Sequence, residues 1–413
     1  MKDRATLLIL AAMIAVMVFA NPFSVTSQQP PIQNVQKPSG ESQASIEALE
    51  KLRSLAAKQK TYQVGYSPAM ERKLTQLSGI EIPRGTVRQA LQVRQKAKAA
   101  LAKSIQQREQ YFKTHPNEFF ESKDIYLEIK TNLQNAYPGR QIPNDAQGMV
   151  PFLPAFNWLD QNVGRPRVKN QGSCNSCWAF ATLAAFEWSF HIQKRRLTIM
   201  YGRYGETLPS GERVKIATVT PPYKLLFSEQ KLINCAGKEN SCRGGWHGSA
   251  FNHLVEFGAP FPWDSPSDTT RIEYTGKDGT CQGLKVNTGF QALTWDYVNY
   301  PPDKIPSVTQ LKTALLEHGP IVVLVRITEA FQAYQGGVFN ERAPGEINHA
   351  VVLVGWDDAN RAWLIQNSWG EEWGTKIKVG PSATETGGLM WIAWDSNSIG
   401  KYAAWVDAAI EYR

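Results

Sequence analysis

The sequence predicts an α+β protein, a helical upstream segment followed by a two-lobed unit of helices and then strands. Three observations carry this. Helix-forming residues with apolar positions three and four apart fill much of the first third. Short runs rich in Val, Ile and Trp, bounded by Gly, Asp or Asn, gather in the last quarter. All five cysteines, at 174, 177, 235, 242 and 281, lie downstream of a composition shift toward Trp, Gly and Cys near residue 150.

The chain of 413 residues is too long for one typical core. Its first residues read Met1-Lys2-Asp3-Arg4, an apolar run from Leu7 to Ala20, then Asn21-Pro22. This is the pattern of a signal peptide over 1–20, with Val18-Phe19-Ala20 as cleavage site. The run is shorter than the ~20 residues a membrane span needs, so an uncleaved anchor is the lesser reading and export the expectation, to the cell exterior, a periplasm or a lumen. Residues 22–45, rich in Gln, Pro and Ser, predict a linker. Ile46 to Lys60 and Val87 to Phe112 predict helices.

Turn residues at Pro138-Gly139, Pro143-Asn144-Asp145 and Pro151 to Pro154 place a boundary near 150, giving 21–150 as linker and helical segment and 151–413 as the main domain. Downstream, Ala179 to Gln193 predicts a helix and Ser228 a helix N-cap. Ser307-Val308-Thr309-Gln310 is a capping box opening a helix to about His318. Ile321 to Ile327, Ala350 to Trp356, Trp363 to Gln366 and Met390 to Trp394 predict strands, and 196–224 and 375–388 predict surface loops.

Charge follows the same boundary. Residues 21–150 hold 18 Lys and Arg against 11 Asp and Glu, whereas 151–413 hold 25 of each. The overall +8 therefore belongs to the upstream part, and without a recognition motif it does not argue for nucleic acid as a partner. His115, His191, His247, His253 and His318 lack metal-ligand spacing, so neither a metal nor another cofactor is expected.

An odd cysteine count in an exported chain leaves one thiol to explain. Cys177, in Gln171-Gly172-Ser173-Cys174-Asn175-Ser176-Cys177-Trp178, stands at the start of a helix, where the dipole and free N–H groups stabilise a thiolate. Taken alone it reads more readily as a buried structural thiol. Asn348-His349-Ala350 and, 18 residues after His349, Asn367-Ser368-Trp369-Gly370 supply a base and an amide able to orient it.

Over about 154–413 these blocks resemble the papain family of cysteine peptidases. So do Leu153 to Trp158, Ser228-Glu229-Gln230 with Cys235, Cys242-Arg243-Gly244-Gly245-Trp246, Tyr334 to Phe339 and Asn397-Ser398-Ile399-Gly400. The resemblance implies a helical lobe and a β-barrel-like lobe with a cleft between them, preceded by a prosegment. It makes Cys177 the nucleophile, His349 the base, Asn367 its orienting amide and Trp369 the indole that shields that contact. Gln171 would complete the oxyanion hole. Gly244 and Gly245 would pair with substrate backbone, with Trp246 and Asn348 beside them. Cys174–Cys242 and Cys235–Cys281 are the disulfides it implies, leaving Cys177 free. Counting without gaps from Asn397 places Asp407 at the floor of the pocket for the second substrate residue before the scissile bond.

The expected activity is a secreted, monomeric endopeptidase made as a zymogen, acting on polypeptides through a thioester and restrained by its own prosegment. Acyl transfer to an amine, silent peptide binding on the same scaffold, and residues 42–150 as an independent binding module are the alternatives. Two departures stand out: Asn175 replaces the usual Gly, where tolerance of positive φ is expected to save the turn, and the Cys-to-His separation of 172 residues is long.

Overall fold

The computed structural model describes residues 43–59, 61–114, 125–161, 163, 166–200, 227–259, 273–281, 290–379 and 384–409. The apolar run of 7–20, most of the linker and most of the loop at 196–224 lie outside these residues. Among the described residues no helix is long and apolar enough to cross a membrane.

The upstream segment forms α1 (Gln43–Gln59), β1 (Tyr62–Val64), α2 (Leu74–Leu77), α3 (Thr86–Thr114), α4 (Ile125–Ala136) and α5 (Ala146–Met149). In α3, Ala90 and Ala97 are buried with Val93, Arg94 and Leu101 partly so. These share one face, and their small side chains let the helix lie close to its neighbour while Lys and Gln keep the rest in water. Downstream the helical side comprises α6 (Cys177–Met200), α7 (Glu229–Cys235) and α8 (His247–Phe257). Ser228 caps α7 by accepting from the Lys231 N–H.

The strands follow: β2 (Ala155–Asn157), β3 (Ala292–Tyr297), β4 (Ile321–Val325) and β5 (Tyr334–Phe339), then β6 (His349–Asp357) and β7 (Ala362–Gln366), and finally β8 (Thr375–Val379), β9 (Thr384–Ala393) and β10 (Lys401–Ala408). Helix α9 (Val308–His318) opens with the capping box formed by Ser307 and Gln310, and α10 (Glu329–Gln332) precedes β5. The sheet order is β1-β5-β9-β7-β6-β4-β10-β3, with β2 on β6 and β8 on β9. Strands β4, β6 and β7 are buried along their whole length, which is why they read as continuous apolar runs.

The upstream segment is part of this sheet. Strand β1 extends its edge by pairing antiparallel with β5, and α3 covers the other end at β3. Residues 375–379 and 384–388, expected in a surface loop, are instead strand: β8 pairs antiparallel with β9. Their alternation, Lys376 and Lys378 outward with Ile377 between, is a half-buried edge pattern that polar composition disguises.

Candidate active site

Cys177 is the first residue of α6 and His349 the first of β6. The preceding loop is held tightly. Cys174 is bonded to Cys242 and Cys235 to Cys281, leaving Cys177 as the free thiol. The Asn175 N–H donates to the Cys242 carbonyl, and Tyr274 Oη reaches the Ser176 hydroxyl and the Gln171 carbonyl at 2.9 and 2.7 Å. Asn175 does not have a positive φ, so the expected need for a left-handed conformation there is corrected: ordinary backbone makes the turn.

Asn367 fixes the histidine. Its Oδ1 accepts from the Ser368 N–H at 2.8 Å, which sets the amide orientation, and lies 2.8 Å from His349 Nε2. Nε2 therefore carries the proton, and Nδ1, buried and without a hydrogen bond of good geometry among the described residues, keeps its lone pair. Trp369 packs on the imidazole with ring centroids 5.0 Å apart and is itself wedged against Phe331 and Trp373.

Gln171 is oriented just as firmly. The Ser368 hydroxyl donates to its Oε1 at 2.7 Å, while Nε2 donates to the Cys174 carbonyl at 2.9 Å and reaches the Leu77 carbonyl at 3.4 Å. Ser368 and Tyr274 thus position the site without having been singled out in the sequence. Ser368 stood inside a recognised block, and Tyr274 carried no signal.

The cleft is occupied by the upstream segment. Leu77 to Glu81 cross it by main-chain bonds: the Gly79 N–H donates to the Asn348 carbonyl, the Gly245 N–H to the Gly79 carbonyl, and the Glu81 N–H to the Gly245 carbonyl, at 2.9, 2.9 and 3.1 Å. Ile80 and Gly245 are bridged in parallel. Both glycines are required by closeness. A Cβ on Gly79 would sit 2.1 Å from the Asn175 carbonyl oxygen, and one on Gly245 would sit 2.7 Å from the Trp178 indole. Gly244 sits one residue before this bridge, and Trp246 one residue after it, at the N-cap of α8.

This cover sets the electrostatics. Burial pushes the Cys177 thiol up to about 12, against the pull of main-chain N–H groups of Ala350, Trp178, Cys177 and Gly79. Burial likewise lowers His349 to about 4, only partly opposed by Asn367 and the Leu77 backbone. Both groups are neutral beneath Leu77–Glu81.

Asp407 is not part of this site, and the expectation that it floors the second pocket is corrected. Its carboxylate is held by His318 Nδ1 at 3.0 Å, and His318 stacks on Trp405 at 3.8 Å. The neighbouring β10 residue that meets the cleft wall is Tyr402, 5.0 Å from Trp246. Five residue steps along the strand, about 16 Å, separate the two. Between Asn397 and Ala404 the chain is irregular: Asn397, Ser398, Gly400 and Tyr402 all have positive φ and β10 is bulged before Ala404.

A sequence model of the papain family of cysteine proteases matches residues 153–201 and 211–379. The chain is 31% identical over 229 residues to thiol protease aleurain of Arabidopsis thaliana, covering 53% of each chain. It is 32% identical over 263 residues to cathepsin J of Rattus norvegicus, covering 60% of this chain and 62% of that one. The matches thus span between half and two thirds of these relatives. Procathepsin L2 from Tenebrio molitor larval midgut has a similar fold, with TM-score 0.52 and 20% identity over 88% of this chain and 90% of that one. With the family match covering more than half its length, the chain belongs to the papain family of cysteine proteases.

Proposed function

We propose that the protein is an exported cysteine endopeptidase precursor in which residues from about 42 to 150 are an inhibitory prosegment, removed by a cut near Met149 to Phe156. The observation that carries this reading is the joint one at the cleft. His349 Nε2 is committed to Asn367, its Nδ1 is held free, and Leu77–Glu81 fill the space a substrate needs.

Removal of the cover returns water and lifts the burial that keeps Cys177 and His349 neutral, so a proton passes from the thiol to Nδ1. The thiolate attacks a peptide carbonyl whose developing charge is met by Gln171 Nε2 and the Cys177 N–H, a contribution of about 3–4 kcal/mol in acyl-transfer sites. His349 then protonates the leaving amine, and water, deprotonated by the same ring, releases the acid from the thioester.

Chain direction explains why the prosegment is not itself a substrate. A substrate whose acyl residue lies at Cys177 passes Gly245 before it reaches the thiol. The prosegment passes Cys177 with Gly79 and then Gly245 with Ile80, the opposite way.

The test is hydrolysis of a peptide library by full-length and processed protein. Equal rates for the two forms sink the inhibitory role, and absence of cleavage by the processed form sinks the peptidase. Product analysis separates hydrolysis from acyl transfer to an amine.

A further inference from the structure

Among the described residues, helix α3 meets the peptidase unit through one ion pair beside an open groove. Arg94 Nε donates to Asp296 Oδ2 at 3.2 Å, and its guanidinium carbon lies 5.9 Å from the centre of the Tyr300 ring. Asp296 is buried on β3, its Oδ1 accepting from the Tyr297 N–H at 2.7 Å. His318, which also faces Asp296, is bound to Asp407. Along the same helix, between α3 and the surface of α8 and β3, lies an open groove of about 690 Å³ whose peptidase wall includes Trp246, Asn252, Trp295 and Tyr297; Arg94, Asp296 and Tyr300 are not among its lining residues. The wall begins at Trp246, next to the Gly245 that pairs with the chain in the cleft.

Departure of α3 strips Asp296 of its guanidinium and uncovers the carboxylate beside the Tyr300 ring, leaving an anionic position that a replacement cation can occupy. The planar fork of an arginine suits it best, since Tyr300 offers a ring face as well as the carboxylate. We propose that Asp296 and Tyr300 form an arginine-binding subsite of the processed peptidase, held by Arg94 in the precursor and taken by an arginine of the substrate upstream of the residue paired with Gly245. This rests on the peptidase reading above. Asn252, bonded to Trp295, the residue before Asp296 on β3, is six residues along α8 from Trp246, about 9 Å, so an arginine reaching round this edge strand belongs on the order of three to six residues before the scissile bond.

Two measurements test it, and the first needs no catalysis. In the full-length Arg94→Ala protein the site is empty while α3 remains, and titration calorimetry with N-acetylarginine amide is expected to show saturable binding. N-acetylcitrulline amide, of the same shape without the charge, should not bind, and Arg94→Ala/Asp296→Asn should lose the arginine signal. Arg94→Gln serves if Arg94→Ala does not fold. No saturable binding overturns the site.

The second measurement uses enzyme processed from the full-length chain and peptides with one arginine or citrulline walked from the third to the sixth residue before the cut. At one position the arginine-to-citrulline ratio of kcat/KM is expected to be about tenfold, falling to about twofold or less in Asp296→Asn and partly in Tyr300→Ala. A ratio makes the readout independent of how much of each variant folds. A flat ratio at every position, or one that survives Asp296→Asn, overturns the subsite. Failure of the wild-type enzyme to cut any peptide overturns the peptidase reading instead, and the titration still decides whether Asp296 and Tyr300 bind arginine.

Discussion

Helix α6 carries parts of two buried ionisable sets, Cys177 at its start and Glu187 ten residues on, about 15 Å along the axis. Burial has opposite outcomes in them. Lys169 lies 2.8 Å from Glu187 and 2.5 Å from Glu229, and although burial pulls its pKa down, the two carboxylates outweigh that and hold the ammonium charged. Cys177 and His349 are as deeply buried, but what covers them is the uncharged main chain of Leu77–Glu81. Here burial prevails, and the thiol and imidazole stay neutral. A buried charge survives where a counter-charge is built in permanently. Where the surroundings offer only dipoles, charge depends on who covers the site, and the cover becomes the control.

The sharpest way to break this comparison is to remove each central group in turn. Cys177→Ala is expected to lower peptide hydrolysis by the processed enzyme by several orders of magnitude while the disulfides and fold persist. Residual cleavage near the wild-type rate in a pure preparation refutes the assignment. Lys169→Met should do the reverse, leaving Glu187 and Glu229 facing each other without a cation. Breaking a buried pair from one side costs about 3–5 kcal/mol, to be read as a fall in thermal and urea midpoints. Little change in either would mean that water already reaches the pair.

Reactivity of the thiol tests the cover directly. With the Cys177 thiol held at about 12, iodoacetamide should modify the full-length protein very slowly at pH 7, and the processed form on the order of a hundredfold faster. Gly79→Ala in the full-length chain should move toward the processed rate, because a methyl group there has no space beside the Asn175 carbonyl. Equal modification of all three forms breaks the link between cover and charge.

Acid should loosen the cover. Burial lowers His349 to about 4 and His247 to about 3, so the native precursor binds fewer protons than the unfolded chain between these values and the ordinary 6.5. That stability is present in full above about pH 6.5 and is lost as pH falls through the folded-state values. Between pH 7 and 4.5 His349 alone accounts for about 2–3 kcal/mol. Urea unfolding of the full-length Cys177→Ala chain, which cannot process itself, should show a lower midpoint at pH 4.5. An unchanged midpoint would show that protonation is absorbed without opening.

The legibility of the molecule divides along the same line. Cys177, His349 and Asn367 could be singled out as a nucleophile, a base and an orienting amide because each role needs a residue type that only a few side chains can supply, whereas Gln171 came only with the resemblance of its block. Strands β4, β6 and β7 were legible because full burial makes them continuous apolar runs, and α9 because its capping box is written in four residues. The cover was not legible. Leu77–Glu81 works through main-chain bonds, which leave no trace in residue type except the glycine at 79, and β1 is a strand only because β5 lies beside it. Two of the upstream segment's anchors, Gly79 on Asn348 and Arg94 on Asp296, join residues more than 200 apart in sequence, a pairing no local pattern encodes.

The smallest expected effect concerns Asp407, where counting along the sequence and the folded strand part ways. A carboxylate at the pocket floor would favour arginine at the second residue before the cut, and its removal would erase that preference. In the structure both carboxylate oxygens lie within 3.0–3.2 Å of His318 Nδ1, and Trp405 and Asp407 share the strand face that meets α9. Asp407→Ala is therefore expected to leave the arginine-to-leucine ratio at that position unchanged within about twofold, while freeing His318 and lowering stability by about 1–2 kcal/mol through the lost charged hydrogen bond. Paired substrates measured with wild type and variant decide between the two placements. A ratio that collapses in the variant would put Asp407 back at the pocket and mean that β10 lies in a different register from the one its bulges at Ala404 and Ala408 produce.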